Sequence, residues 1–361
     1  MDYNITWRKK DKGWQFIISF KDSTGKWKQK SKQGFKTQKE GKPVIENMLD
    51  DLEDEIENQK HLNVEYTGIT LKKFSEIYLE HETLYREQNT IEMKEYSLKK
   101  IEILEDMLLK DISNLDIQKC VDTMVKEDLS KQTIKNYLSM LKAMFNSAID
   151  QFDIITSNPV TNIKLPEDKG TKEKTALTQA EFKNLLDSIN DTRLNLITLL
   201  AGSCGLRIGE ILGLKWSDID EINLTISIKR QLKKIKKKKK YGLGSLKNKN
   251  AYRVVPLSDN VYNELKNFKN TNPINFNDRL FNFTNTASMA SRLSELYSDK
   301  GYDISVHELR HTYATTLIAN GVDFKTVAKL MGHSVEQTIK TYSHVTDEMM
   351  KKATQTIRSI F

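Results

Sequence analysis

The sequence predicts a multidomain, mainly α-helical protein that also carries small β-sheets. Three observations predict it. The chain has 361 residues, too many for one ordinary core and enough for two or three domains. Its apolar residues alternate near the N-terminus and then recur with a helical period over most of the remaining length. A polar, proline-marked stretch, Leu165-Pro166-Glu167-Asp168-Lys169-Gly170-Thr171-Lys172, separates two helical regions. Boundaries are expected at 1–65, 66–165 and 166–361.

The first module reads as a small sheet with a helix. Gly13 to Phe20 alternates like a strand, Asp22-Ser23-Thr24-Gly25 is a turn signal, Lys26 to Ser31 returns as a second strand, and Phe35 starts a third. Residues 43–60 read as an acidic helix with Val44, Ile45, Met48, Leu49, Leu52 and Ile56 on one face. Trp14, Phe16, Phe20 and Trp27 are expected to pack under it.

Residues 69–155 read as four helices: Thr70–Leu84, Thr90–Leu109, Asp116–Lys126, and a long one capped by Ser130. The last has an apolar stripe of Ile134, Tyr137, Leu138, Leu141, Phe145, Ala148 and Ile149, with Lys131, Lys135 and Lys142 on its outer side. The third domain opens on Thr178 and Glu181, which form a capping box. It continues through a buried helix at Leu194–Leu200 and strands at Asn223–Gln231 and Ala251–Leu257, and is helical from Ile304 onward. A lysine-rich loop holding Lys233, Lys234 and Lys236 through Lys240 lies between the strands.

Composition narrows the function classes. The net charge is +8 and the pI about 9.0. Residues 1–42 hold twelve Lys/Arg against four Asp/Glu, whereas 43–65 hold eight acids and one lysine. Two basic regions thus flank an acidic helix, and a polyanion, nucleic acid first, is the expected partner. The two cysteines, Cys120 and Cys204, sit in apolar stretches as small hydrophobes and offer neither a disulfide scaffold nor a zinc site. No apolar run approaches the roughly 18 residues that span a bilayer, and the N-terminal residues lack a signal-peptide core, so a cytoplasmic protein is expected.

Three stretches carry chemistry: Cys204-Gly205-Leu206-Arg207-Ile208-Gly209-Glu210-Ile211-Leu212-Gly213-Leu214, His307-Glu308-Leu309-Arg310-His311-Thr312-Tyr313-Ala314-Thr315, and Leu330-Met331-Gly332-His333-Ser334 followed by Tyr342. His307 and Arg310 are three apart and share a helix face. A guanidinium fork beside an imidazole suits a phosphate, the first gripping two oxygens while the second moves a proton. Arg207 follows Gly205, which lets the backbone approach closely, and Glu210 lies one turn further on where it can hold the Arg207 guanidinium. His311 reads as a packing or capping residue.

In content, order and spacing these stretches resemble the tyrosine recombinase (phage integrase) family. The resemblance covers about 173–361 as a mixed α+β catalytic domain. The helical domain before it is similar to the family's core-binding domain, and the first module to the arm-type DNA-binding domain of integrases from temperate phages and conjugative transposons. The resemblance implies catalytic roles for Arg207, His307, Arg310, His333 and, as nucleophile, Tyr342. It places the catalytic lysine in a β-hairpin before the strand ending in Pro256-Leu257, where Lys247 matches best and Lys249 is the alternative. Leu246 and Asn248 depart from the family's Pro-Lys-Thr pattern at that place. It further implies a 3′-phosphotyrosyl intermediate formed without metal, ATP or other cofactor. The implied partners are double-stranded attachment-site DNA, three further protomers in a tetramer, and an excision factor or host DNA-bending protein. A type IB topoisomerase shares the chemistry, but the N-terminal module and the His-Glu-Leu-Arg-His run favour a recombinase. A regulator on a degenerate fold is disfavoured by the full residue set. A metal-dependent nuclease would want clustered carboxylates, which do not stand near the basic motifs.

Overall fold

The computed structural model describes residues 2–11, 13–21, 27–60 (backbone alone over 55–60), 66, 68–168, 176–235, 240–272, 276–342, 354, 357 and 358. The expected turn at 22–25, the lysines at 236–239, most of the linker's end at 169–172 and the C-terminal tail at 349–357, apart from Thr354 and Ile357, lie outside the described residues. The chain divides into two compact units, Met1–Gly170 and Thr171–Phe361.

The N-terminal module is a three-stranded antiparallel sheet, β1 (Tyr3–Lys10), β2 (Gly13–Lys21) and β3 (Trp27–Phe35), in the order β1-β2-β3, followed by helix α1 (Gln38–Lys60). The alternation over 13–20 is the central strand: Phe16, Ile18 and Phe20 are buried and pack with Ile45 and Leu52 of α1. Two expectations fail here. The N-terminal residues form a strand of their own, and 27–35 is one strand rather than two. Tyr3, Ile5 and Trp7 alternate with Asn4, Thr6 and Arg8, a strand signal that the sequence reading passed over, and the segment pairs with β2. Trp27 lies at the sheet's end and is 55% exposed, while Trp7 takes the place under the helix expected of it.

The helical domain comprises α2 (Leu71–Tyr85), α3 (Gln88–Lys99), α4 (Asn114–Lys126) and α5 (Lys131–Asp150). Thr70, Ser113 and Ser130 cap three of them through their side chains. The α5 stripe faces inward as expected, with Ile134, Leu138, Leu141, Phe145 and Ala148 buried and Tyr137 and Ile149 packed beside them. The helix expected to run to Leu109 stops at Lys99. The next residues fold back on the start of α2, where the Leu71 N–H donates to Met107 O and the Leu109 N–H to Ile69 O, both at 2.9 Å. Burial of Ile101, Leu104 and Leu109 in that position overrides local helix propensity.

In the second unit, α6 (Gln179–Asp187) begins at the expected Thr178–Glu181 capping box and α7 (Thr192–Cys204) is buried along nearly its whole length. After the one-turn α8 (Ile208–Ile211), strands β4 (Ile219–Asp220), β5 (Thr225–Ile228) and β8 (Arg253–Pro256) form one antiparallel sheet. A separate hairpin pairs β6 (Gln231–Lys234) with β7 (Tyr241–Gly244). Lys233 and Lys234, expected in a loop, are therefore strand residues of β6. Helices α9 (Asp259–Thr271), α10 (Thr286–Asp299), α11 (Val306–Ala319), α12 (Phe324–Met331) and α13 (Val335–Tyr342) complete the described unit. Cys120 and Cys204 are both buried, and burial pushes the Cys204 thiol up to about 12.

Candidate active site

The site is built around the carboxylate of Glu210, 1% exposed, in the single turn of α8. Arg207 is the N-cap of that turn. Its backbone N–H donates to Glu210 Oε2 at 2.9 Å and its Nη1 to Oε1 at 2.8 Å, so the acid both caps the turn and aims the guanidinium. Arg310 Nη1 lies 3.9 Å from Oε2 of the same carboxylate. Arg253 of β8 donates Nη2 to Oε2 at 2.8 Å and Nη1 to Oε1 at 3.2 Å. These cations overcome the burial that opposes ionisation and hold the Glu210 carboxyl down at about 2.

Arg310 is placed by α11, whose start is fixed by Ser305 and Glu308 in a capping box. Its guanidinium is 1% exposed, donates to the carbonyls of Gly205 and Met331, and lies 3.0 Å from His333 Nε2. Its Nε is buried without a hydrogen-bond partner among the described residues. Burial, with Arg207 nearby, lowers its proton affinity, and Glu210 opposes that. Gly205 ends α7 in the left-handed region, φ +63°, and a Cβ there would meet Tyr313 Cδ1 at 2.4 Å. The close approach it permits is thus that of the Tyr313 ring.

His333 follows Gly332, the left-handed cap of α12, and its N–H donates to Ala328 O at 3.0 Å. That closing bond fixes the imidazole against Arg310. Burial, then Arg310 and Arg207, push its pKa down to about 3, so the ring is neutral at pH 7. With Nε2 accepting from Arg310, Nδ1 carries the proton, and it is buried without a partner among the described residues.

Tyr342 ends α13 and is buried among Ala314, Ile318, Val327 and Met331. Its hydroxyl lies 2.6 Å from His311 Nδ1, and burial pushes the phenol up to about 12. His307 shares the helix face with Arg310 but is exposed, and its ring stands edge-on to His311 with centroids 5.0 Å apart. Arg207, Arg310 and His333 are therefore brought together around Glu210, and Tyr342 joins the His pair through His311. Lys247 and Lys249 are both exposed and lie beyond the β6–β7 hairpin, Lys247 in a bend and Lys249 at the start of a 3-10 turn. Neither side chain bonds to the cluster among the described residues. Two members were missed by sequence reasoning. His311 was read as packing, although its i, i+4 spacing from His307 was a usable signal. Arg253 was read only as part of a strand and had no local signal.

A phage integrase family model matches residues 175–349, and the Tn916 transposase of Enterococcus faecalis is 30% identical over 67% of this chain and 68% of its own length. The chain belongs to the phage integrase family. It is a tyrosine recombinase, a site-specific DNA recombinase of the kind carried by phages and conjugative transposons. An arm DNA-binding domain model matches residues 6–52 of this integrase-family chain, and a SAM-like N-terminal domain of phage integrases matches 70–125. A XerC-like tyrosine recombinase of Caldanaerobacter subterraneus is 29% identical over 94% of both chains. The integrase of transposon Tn1549, solved in complex with a circular intermediate DNA, is similar in structure with a TM-score of 0.64 and 26% identity, covering 76% of this chain and 95% of that one.

Proposed function

We propose that this recombinase cuts and rejoins double-stranded attachment-site DNA with Arg207, Lys247, His307, Arg310, His333 and Tyr342, His311 serving beside His307. The observation that carries the reading is the convergence of Arg207 and Arg310 on one buried carboxylate. Two guanidiniums are thereby fixed side by side, and Arg310 keeps a buried Nε–H that a phosphate oxygen would satisfy. A phosphodiester repels nucleophiles, so the clamp neutralises the charge that grows on the non-bridging oxygens.

The Tyr342 hydroxyl forms the new P–O bond as the P–O5′ bond breaks. Its proton, tightly held in the buried phenol, passes to the His307–His311 pair. Lys247 protonates the departing 5′-oxygen. The product is a 3′-phosphotyrosyl ester and a free 5′-hydroxyl; attack by a partner strand's 5′-hydroxyl reverses each transfer. His333, neutral and bonded to Arg310, keeps that guanidinium oriented and has its Nδ1–H left to donate.

Domains at 1–65, 66–165 and 166–361 divide the work. The first binds a second class of site, with the uncovered face of its sheet in the major groove. By register that face carries Asn4, Thr6, Arg8, Gln15, Ser19, Gln29, Ser31 and Gln33, suited to base edges, and the three strands contain no acid. Lys21 shares that face and suits a phosphate, whereas Lys30 and Lys32 alternate to the helix-covered side. Four protomers act together in the bacterial cytoplasm, the C-terminal tail docking between neighbours, and an excision factor or host DNA-bending protein sets direction. No helix among the described residues is long and apolar enough to cross a membrane.

The test is a suicide substrate made from DNA flanking the gene. The wild-type protein should form a covalent adduct, and Tyr342→Phe should bind the DNA equally and form none. An adduct that persists in Tyr342→Phe assigns the nucleophile elsewhere.

A further inference from the structure

Arg253 lies outside the residues the proposed chemistry uses, yet its guanidinium, 2% exposed, is bonded to three separate parts of the site. Nη1 and Nη2 fork onto the two oxygens of Glu210. Nη1 also donates to Ala251 O at 2.9 Å, and Nε donates to Leu330 O at 2.6 Å. All three of its guanidinium nitrogens are already bonded to protein acceptors, unlike Arg310 with its Nε unbonded among the described residues, so it is assigned no phosphate. Its bonds instead join three pieces of the site: the turn bearing Arg207, the segment leading from Lys247 into β8, and the end of α12 just before His333.

We propose that Arg253 is a positioning residue that sets the aim of both phosphate-binding arginines by fixing the Glu210 carboxylate. A carboxylate gripped by a fork has a set plane. Held so, Glu210 presents Oε1 to the Arg207 side chain and Oε2 to the Arg207 backbone N–H and toward Arg310. Released, it would swing to whichever cation lies nearer, and the other arginine would lose its stay. The same guanidinium anchors α12: Leu330 O accepts from Arg253 and the next carbonyl, Met331 O, from Arg310. A Cβ on Gly332, whose φ is +62°, would come within 3.1 Å of Arg253 Nη1 and 3.0 Å of Ala251 Cα, so the turn carrying His333 rests directly on this contact. Lysine keeps the charge but loses the fork, which separates aim from mere neutralisation of Glu210.

The inference rests on the phosphate clamp proposed above, and its test distinguishes the two. Full-length wild type, Arg253→Lys, Arg253→Gln and Arg207→Ala are assayed for single-turnover adduct formation on flanking DNA. One substrate has the natural scissile phosphodiester. The other has a methylphosphonate, in which an uncharged methyl replaces one non-bridging oxygen. On the phosphodiester, Arg253→Lys should bind DNA like wild type and cleave about 100-fold more slowly, the scale of a displaced catalytic group. On the methylphosphonate, which has less charge for the clamp to neutralise, the deficit should shrink to under about tenfold, and Arg207→Ala should follow the same pattern. Each ratio compares two substrates with one preparation, so partial unfolding cancels. An equal deficit on both substrates, no deficit at all, or loss of folding in both Arg253 variants overturns the positioning role. Absence of any Tyr342-dependent adduct in the wild type overturns the recombinase site assignment instead.

Discussion

The two basic regions hold their cations in opposite ways. In the N-terminal sheet the strands carry seven Lys/Arg and no Asp/Glu, nearly all exposed. In the catalytic domain Arg253 and Arg310 are buried and share one carboxylate with the half-buried Arg207, two backbone carbonyls also holding Arg310. Exposed cations on a strand suit contact with a polyanion whose exact position varies, since water screens them and geometry matters little. A transition state needs charges whose positions are fixed beforehand, and burial with a counter-anion supplies that fixity. Net charge alone therefore says little about either region; what surrounds each cation decides its use.

The contrast is broken most strongly at Arg310. Arg310→Ala should slow adduct formation by about 10²–10³-fold, the loss seen when one preorganised donor is removed. It should also lower thermal stability, because the Gly205 and Met331 carbonyls lose their donor. Slow cleavage with unchanged stability would mean that the buried guanidinium is not part of the domain's framework.

Lys247 tests a third kind of cation, exposed but chemical. Lys247→Ala should lose about 10²-fold in cleavage, within the range for general acids, and recover on DNA with a 5′-bridging phosphorothiolate, because sulfur leaves without protonation. Recovery by Lys249→Ala instead would move the acid to the start of the 3-10 turn.

A subtler effect concerns pH. His333 takes up its proton near 6.5 in the unfolded chain and only at about 3 in the folded one. Between those values the unfolded state binds more protons, so stability falls as pH is lowered from 6.5 toward 3. The ring is half-buried, so the slope it contributes stays below about 1 kcal/mol per pH unit. Glu210, held at about 2 against an ordinary 4.5, adds its own loss only below pH 4.5. Denaturant midpoints measured from pH 7 to 5 should therefore fall less in His333→Gln than in wild type. Identical slopes would place the pH sensitivity elsewhere.

The smallest effect belongs to the sheet. Lys21→Ala should reduce the slope of log affinity against log salt on arm-site DNA by about 0.9, one released counterion, without changing sequence preference. Footprints of the full chain and of 66–361 should differ by flanking repeats that only the full chain protects. Matching footprints would remove the DNA role from the N-terminal module and favour a resolvase-like enzyme.

Local chemistry made much of this legible beforehand. Capping pairs such as Thr178–Glu181, the α5 stripe and the central strand at 13–21 depend on near neighbours in the chain, and their patterns survive in the sequence alone. The spacing of His307, Arg310 and Glu210 from Arg207 likewise fixes helix faces and a capping turn before any tertiary contact forms. What the sequence by itself could not decide is whatever closes over distance. Helix α3 stops at Lys99 because the following residues bond back to the start of α2. The Tyr342 hydroxyl meets His311, 31 residues away, rather than the exposed His307. Arg253 reaches Glu210 across 43 residues and Leu330 across 77. A buried guanidinium must find several acceptors at once, and only the packed fold determines which carboxylate and carbonyls they are.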